Sequence, residues 1–306
     1  MKKVLVTGGA GFIGSHLVSE LLESGNKVVV IDNLSNGSER NLGKEVKLYK
    51  QDVSGKDLRL IFEAENPDIV FHLAAQISVE KSLRNPILDA STNILGALNV
   101  FDNCARSGVS KVVYVSTAAV YGEGPLPTKE ENLIRPSSPY GLSKSVAEQY
   151  LKYFPFNYTI LRLPNIYGPG QTLKGESGVV ATFIDSALRE ELIYITGTGY
   201  QSRDFLYVSD VVEACLLVTK YIKTERETYN LSSSIEETII GLFKYIKDLT
   251  GYPAKPQLVP SRSKETPRSL LDASKIKKEL NWKPEVPLDE GLRKTIIWYE
   301  GELGIE

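Results

Sequence analysis

Val4-Leu5-Val6-Thr7-Gly8-Gly9-Ala10-Gly11-Phe12-Ile13-Gly14 opens the chain and sets its architecture. The three aliphatic residues read as a short buried strand, and Phe12 to Leu22 carries the spacing of a helix. Between them lies Gly-x-x-Gly-x-x-Gly. Gly8 permits a tight turn, Gly11 lets a pyrophosphate approach the backbone, and Gly14 lets the helix pack close to the sheet. The helix N-terminus, with Phe12 and Ile13, then faces the phosphates. Asp32 ends the next strand, 18 residues after Gly14. A carboxylate there accepts the adenosine ribose hydroxyls and repels a 2′-phosphate, so the expected cofactor is NAD. Asn33, Ser35, Asn36 and Gly37 continue the same site.

Further strands are predicted at Lys27 to Ile31, Val46 to Tyr49, Asp68 to His72, Lys111 to Val115 and Tyr158 to Leu161. Helices are predicted at Ile87 to Ala105 and Pro139 to Phe154. Short apolar strands between helices imply α/β architecture: a Rossmann-type parallel sheet with helices on both faces, binding ligand at the strands' carboxyl ends. After Gly168 the rhythm loosens. Helices are expected at Val180 to Glu190, Val208 to Tyr221, Glu236 to Thr250, Ser274 to Leu280 and Leu288 to Tyr299, with Gly251 to Pro267 as loop. This predicts an NAD-binding domain over 1–167 and a smaller C-terminal α/β substrate lobe over 168–306, the chain recrossing the boundary.

The chain has 306 residues, 42% hydrophobic and 24% charged, with a formal net charge of -2. Those are values of an ordinary globular protein, and without a basic run nucleic acid is not an expected partner. Cys104 and Cys215 sit in apolar helical patterns and read as buried thiols. His16 and His72 lack metal-ligand spacing, so no metal is expected. No apolar run suits a signal peptide or a membrane span, which predicts a cytoplasmic protein with no membrane partner.

Tyr140-Gly141-Leu142-Ser143-Lys144 carries the chemistry. A tyrosine and a lysine four residues apart share one helix face. A free phenol has a pKa near ~10. A cation about 4 Å away, at an effective dielectric of about 20, favours the phenolate by roughly 4 kcal/mol, or about three pKa units. The tyrosine can then exchange a proton with a sugar hydroxyl at neutral pH. Ser116 and Thr117 end the strand shortly before it.

Together these segments resemble the extended short-chain dehydrogenase/reductases. Thr7 to Gly14, Asp52-Val53, His72-Leu73-Ala74-Ala75, Asn93 and Tyr140 to Lys144 carry the likeness, which runs from Lys3 to about Trp298. The resemblance implies that Asp52 and Val53 flank the adenine, that Leu73, Ala74, Ala75 and Gln76 pass under the cofactor, and that Asn93 supports the active site. Within that family the chain is most similar to the nucleotide-sugar epimerase branch, the UDP-glucose 4-epimerases above all. Val115 to Gly122 carries this narrower likeness: Thr117 stands where these enzymes usually have a catalytic serine, and Ser116 contacts the cofactor. Dehydratases and decarboxylases of the branch have acidic residues where this chain has Ala118 and Ala119, and an alanine methyl cannot transfer a proton. The implied reaction is reversible, NAD-dependent epimerisation at carbon 4 of a UDP-hexose through a 4-keto sugar, an activity of galactose metabolism. Thr117, Tyr140 and Lys144 would be catalytic.

The same likeness implies a UDP-sugar site. Pro164 lies against the nicotinamide and Asn165 holds the diphosphate or sugar. Ser78, Val179 and Val180 belong to the substrate side, Tyr194 to Thr196 pairs with the base, and Arg203 clamps the diphosphate. Arg262 and Glu265 fit a closing Arg-Pro-Gly-Glu pattern in which Ser263 and Lys264 replace Pro and Gly. Ser269 borders the carbon 2 substituent and leaves room for an acetamido group. The helices near Ile87–Ala105 and Pro139–Phe154 would form a homodimer contact through Leu88, Leu95, Val100, Val146, Leu151 and Phe154. A nucleotide-sugar reductase or dehydratase, and a non-catalytic dinucleotide-binding regulator, are the alternatives.

Overall fold

A computed structural model of the chain describes residues 1–173, 178–261 and 266–305. Strands β1 (Lys3–Thr7), β2 (Lys27–Asp32), β3 (Lys47–Lys50), β4 (Ile69–His72), β5 (Lys111–Thr117) and β6 (Asn157–Leu163) alternate with helices α1 (Phe12–Glu23), α2 (Leu58–Glu65), α3 (Val79–Arg84), α4 (Pro86–Ala90), α5 (Ala97–Arg106) and α6 (Pro139–Leu151). The second half adds β7 (Asn165–Tyr167), α7 (Val179–Leu188), β8 (Tyr194–Thr196), β9 (Ser202–Tyr207), α8 (Val208–Leu217), β10 (Glu227–Asn230), β11 (Glu236–Thr238), α9 (Ile239–Thr250), β12 (Gln257–Val259), α10 (Ser274–Leu280) and α11 (Leu288–Leu303).

The large sheet has the order β10-β6-β5-β4-β1-β2-β3, every pair parallel. Its inner strands β1, β2, β4, β5 and β6 are buried on both faces, which is why they read as largely apolar runs, while the edge strand β3 is partly exposed. The pleat sends Val4 and Val6 of β1 to one face, with Leu17 and Leu21 of α1, Cys215 of α8 and Ile276 of α10. Leu5 points to the other, with Phe62 of α2, Cys104 of α5 and Leu151 of α6. Both cysteines are buried thiols. The C-terminal half has its own core, in which α7, α9 and α11 pack with β9, and smaller sheets of order β11-β9-β7 and β12-β8.

Several boundaries differ from the sequence expectation. The helix expected from Ile87 to Ala105 is α4 and α5 joined by a π-helical stretch, Ser91–Gly96. Glu236 to Thr238 is strand β11 pairing with β9; α9 starts after it, because Thr238 accepts from the Gly241 N–H at 3.0 Å and caps the helix. Gly251 to Pro267, expected as loop, contains β12, which pairs with β8. α8 stops at Leu217 rather than Tyr221. Val100 and Leu151 are fully buried in the core, so they cannot serve a dimer contact; Leu88 and Leu95 are 48% and 60% exposed.

Candidate active site

A cleft of about 460 Å³ runs along the carboxyl ends of the large sheet, where the strand order reverses between β1 and β4. The glycine turn forms its floor. Gly8 sits at φ +72°, and a Cβ there would lie 2.7 Å from the Ala74 nitrogen. A Cβ on Gly14 would lie 2.1 Å from the Gly8 carbonyl oxygen. Gly11 is less confined, its Cβ position meeting only that oxygen at 3.3 Å. No side chain caps the start of α1, so its first-turn N–H groups are available to an anion.

Asp32 is buried at the end of β2. One of its oxygens accepts from the Ala10 N–H at 2.9 Å and the other from Leu34 N–H at 2.8 Å. Each keeps capacity for a second donor, which a ribose diol can supply. Asn33 donates to Asp52 at 2.6 Å, linking the ends of β2 and β3. In the cleft wall, Gln171 donates to the Ile166 carbonyl, while its buried Oε1 has no partner among the described residues. The turn, the uncapped helix, the acidic strand end and this spare acceptor fit a dinucleotide.

β5 and α6 build the inner end. Ser138 caps α6 through the Gly141 N–H, with Pro139 in the first turn. This brings Tyr140 and Lys144 to the wall that Ser116 and Thr117 reach from β5. Thr117 Oγ1 accepts from the Ala119 N–H at 3.2 Å. Lys144 is buried; it donates to the Val115 carbonyl at 2.6 Å and lies 4.2 Å from the Tyr114 ring centre. Burial pushes its pKa down to about 7, against the opposing pull of Glu148 and Asp89. His72 stacks on Tyr114 and shares a 2.6 Å hydrogen bond with Thr7. Burial, aided by the charge of Lys144, drops its pKa to about 3, so it is neutral at working pH. A buried lysine one helical turn from a tyrosine, both on the wall of a cleft, suits proton exchange by the tyrosine.

Of the residues expected from the sequence, Gly8, Gly11, Phe12, Ile13, Gly14, Asp32, Asn33, Ser35, Asn36, Gly37, Asp52, Val53, Leu73 to Gln76, Ser116, Thr117, Tyr140, Lys144 and Pro164 all line this cleft. Asn93 lies behind the wall. It accepts from the Gln76 N–H at 2.8 Å and donates to the Gln76 carbonyl, Asp89 and Ser143, fixing the chain that forms the wall. The expected substrate residues are more dispersed. Ser78 is buried and caps α3 through the Lys81 N–H. Asn165 begins β7, just after Pro164, and Val180 is buried in the C-terminal core one residue into α7, which Val179 opens. Tyr194 and Thr196 bound β8, and Arg203 on β9 donates to the Ser202 carbonyl at 2.7 Å. Ser269 is half-buried and is not in the cleft wall: its N–H donates to the Ser202 carbonyl, so its segment lies beside β9. Arg262 and Glu265 lie outside the described residues.

Sequence reasoning missed several wall residues, among them Gln51, Asn41, Lys81, Thr92 and Gln171. Gln51 precedes Asp52 and was within reach of the motif; the others arrive from loops and helix faces that carry no local pattern. It also missed Glu148, one helical turn beyond Lys144, which accepts hydrogen bonds from Ser116 and Arg162.

Residues 4–232 match the family model of the NAD dependent epimerase/dehydratase family. A putative UDP-glucose 4-epimerase of Methanocaldococcus jannaschii is 39% identical over 96% of this chain and 97% of its own length. The crystal structure of UDP-glucose 4-epimerase with UDP-glucose from Thermotoga maritima superposes with a TM-score of 0.95, at 41% identity, covering 98% of this chain and 99% of that one. UDP-glucose 4-epimerase of Thermus thermophilus, in complex with NAD, gives a TM-score of 0.92 at 36% identity, with coverage of 98% and 99%. Similarity extends at lower identity to a UDP-glucuronic acid decarboxylase and a dTDP-glucose 4,6-dehydratase.

Proposed function

The chain belongs to the NAD-dependent epimerase/dehydratase family, and on that premise we propose that it interconverts the carbon 4 epimers of a UDP-hexose, UDP-glucose and UDP-galactose first. One observation carries this reading. Thr117, Tyr140 and Lys144 meet at the inner end of the cleft, while the neighbouring positions 118 and 119 offer only alanine. The site can therefore move a proton at one sugar oxygen and lacks the acids there that elimination at carbons 5 and 6, or decarboxylation, would use.

Bound NAD supplies a reversible acceptor for hydride. The chain's own residues do the rest. Tyr140 takes the 4-hydroxyl proton and later returns it. Thr117 Oγ1, already accepting from Ala119 N–H, has its proton to donate toward the same sugar oxygen. Lys144 adds positive charge, held by the Val115 carbonyl. Asp32 and the glycine turn fix the dinucleotide, and Arg203 and Asn165 meet the nucleotide sugar. Because the flat 4-keto sugar turns in the site and is reduced on its opposite face, the second half-reaction undoes the oxidation of the first, and no second substrate is consumed. The exposed apolar residues of α4 and α6 support a homodimer, and among the described residues no helix is long and apolar enough to cross a membrane.

The test is purified protein given UDP-galactose without reductant, the sugars being read by NMR. UDP-glucose should accumulate to equilibrium with no lasting change near 340 nm. Tyr140→Phe should still bind NAD and lose about 10²–10⁴-fold in turnover. A 4-keto-6-deoxy product, a pentose, or reduced cofactor in step with turnover would replace epimerisation by another chemistry of the family.

A further inference from the structure

Tyr140, Lys144 and Glu148 recur at four-residue steps along one stripe of α6. Glu148 is 1% exposed and does not reach the cleft wall. One of its oxygens accepts from Ser116 Oγ, which does line the cleft, and from Arg162 Nε at 3.1 Å. The other accepts from Arg162 Nη2 at 2.6 Å. Arg162, also buried, donates to the Tyr121 hydroxyl at 2.6 Å, and Tyr121 donates to Asn230 of β10 at 2.8 Å. A closed polar network thus joins β5, α6, β6 and β10 behind the reacting groups. A carboxylate buried this deeply is costly unless paired, and here both of its oxygens are paired.

Val115 and Ser116, neighbours on β5, are each tied to α6, one by Lys144 and the other by Glu148. The two bonds, one helical turn apart, hold α6 in register with the end of β5, and so hold Tyr140 relative to Thr117. The Ser116 hydroxyl also spends its only proton on Glu148, so it faces the cleft as an acceptor. The charged and titratable groups around Lys144 are His72 from β4, Tyr114 from β5, Asp89 from α4, and Tyr140 and Glu148 from α6, with Arg162 of β6 beyond Glu148. Asp89 and Glu148 are the carboxylates among them.

We propose that Glu148 is a positioning residue for the proton-exchange site: it clamps α6 to β5, turns Ser116 into an acceptor toward the bound ligand, and supplies negative charge to buried Lys144. The catalytic consequence rests on the epimerase reading; the effect on Lys144 does not.

The experiment separates the two. Glu148→Gln keeps an oxygen for Ser116 and removes the charge. Glu148→Gln/Arg162→Met also removes the more distant arginine charge, so no buried ion is left unpaired, and it serves if the single variant fails to fold. Losing a nearby negative charge disfavours the protonated form of every neighbour. In apoprotein carrying ¹³C-lysine, the Lys144 titration should move down by about one pH unit or more in Glu148→Gln, and by less in the double variant, where loss of the more distant arginine charge works the other way. In NAD-loaded enzyme the whole kcat–pH profile should shift the same way, with KM for UDP-galactose within about twofold. Ser116→Ala, which keeps the charge, should leave the Lys144 titration in place. An unmoved Lys144 titration in a folded Glu148 variant overturns the proposal whatever the activity. A shifted titration in a protein whose wild type does not epimerise UDP-galactose retains the charge assignment and discards the epimerase reading.

Discussion

Gly14→Ala tests the geometry proposed to hold the cofactor. The added Cβ would lie 2.1 Å from the Gly8 carbonyl oxygen and 2.8 Å from Gly9 Cα. Ordinary contact begins near 3.4 Å, so the two backbones must part by about 1 Å. Neither side yields easily. Gly8 donates to the Ile31 carbonyl at 2.8 Å and is backed by Ala74, while α1 is anchored by buried Leu17, Val18 and Leu21. The cost should fall at the upper end of overpacking, about 3 kcal/mol. If the strain persists in the apoprotein, the melting temperature drops by roughly 6 °C, at about 2 °C per kcal/mol for a chain of this size. If the apoprotein relaxes by letting α1 retreat, the same energy reappears when NAD restores the turn, as roughly 100-fold weaker binding. Thermal melts with and without NAD, together with calorimetric titration, read both terms. Gly301→Ala is the control: its Cβ position in α11 is open and it should stabilise by up to ~1 kcal/mol. A Gly14→Ala protein that melts within a degree of wild type and binds NAD within twofold would refute the close approach of helix and turn.

Asp32→Ala should narrow the preference for NAD over NADP, measured by binding of each to apoprotein; equal wild-type affinities would remove Asp32 from the ribose. Wild type should scatter light as a dimer at micromolar concentration, and Leu95→Arg, which charges an exposed apolar position, should give a monomer that still holds NAD; a monomeric wild type ends the dimer proposal. Wild type should turn over UDP-N-acetylglucosamine as well as UDP-glucose, and Ser269→Tyr should lower the first activity selectively. If the tyrosine variant keeps both rates, Ser269 does not border the carbon 2 substituent.

The parallel sheet was legible because its inner strands are buried on both faces and its helices carry local caps such as Ser138-Pro139. Short edge elements were not. β11 and β12 are three residues each, and they are strands only because β9 and β8 lie beside them. The π-helical turn that presents Asn93 to Gln76 and Asp89 is similarly invisible in a helical pattern, since its register answers to contacts made elsewhere.

The division follows the range of the interactions. The glycine turn, the acidic strand end and the four-residue step from Tyr140 to Lys144 are set by backbone sterics and helix geometry within a few residues. The fold class and the residues that line the glycine-turn end of the cleft could therefore be read from the sequence alone. The environment of Lys144 could not, because it exists only once the chain has folded. Its expected role was a cation beside a phenol; in the fold it is buried against Tyr114, tied to Val115, and held near a pKa of about 7 by burial set against Glu148 and Asp89. Desolvation depends on what packs around a group, and β4, β5, α4 and α6 reach Lys144 from widely separated parts of the chain.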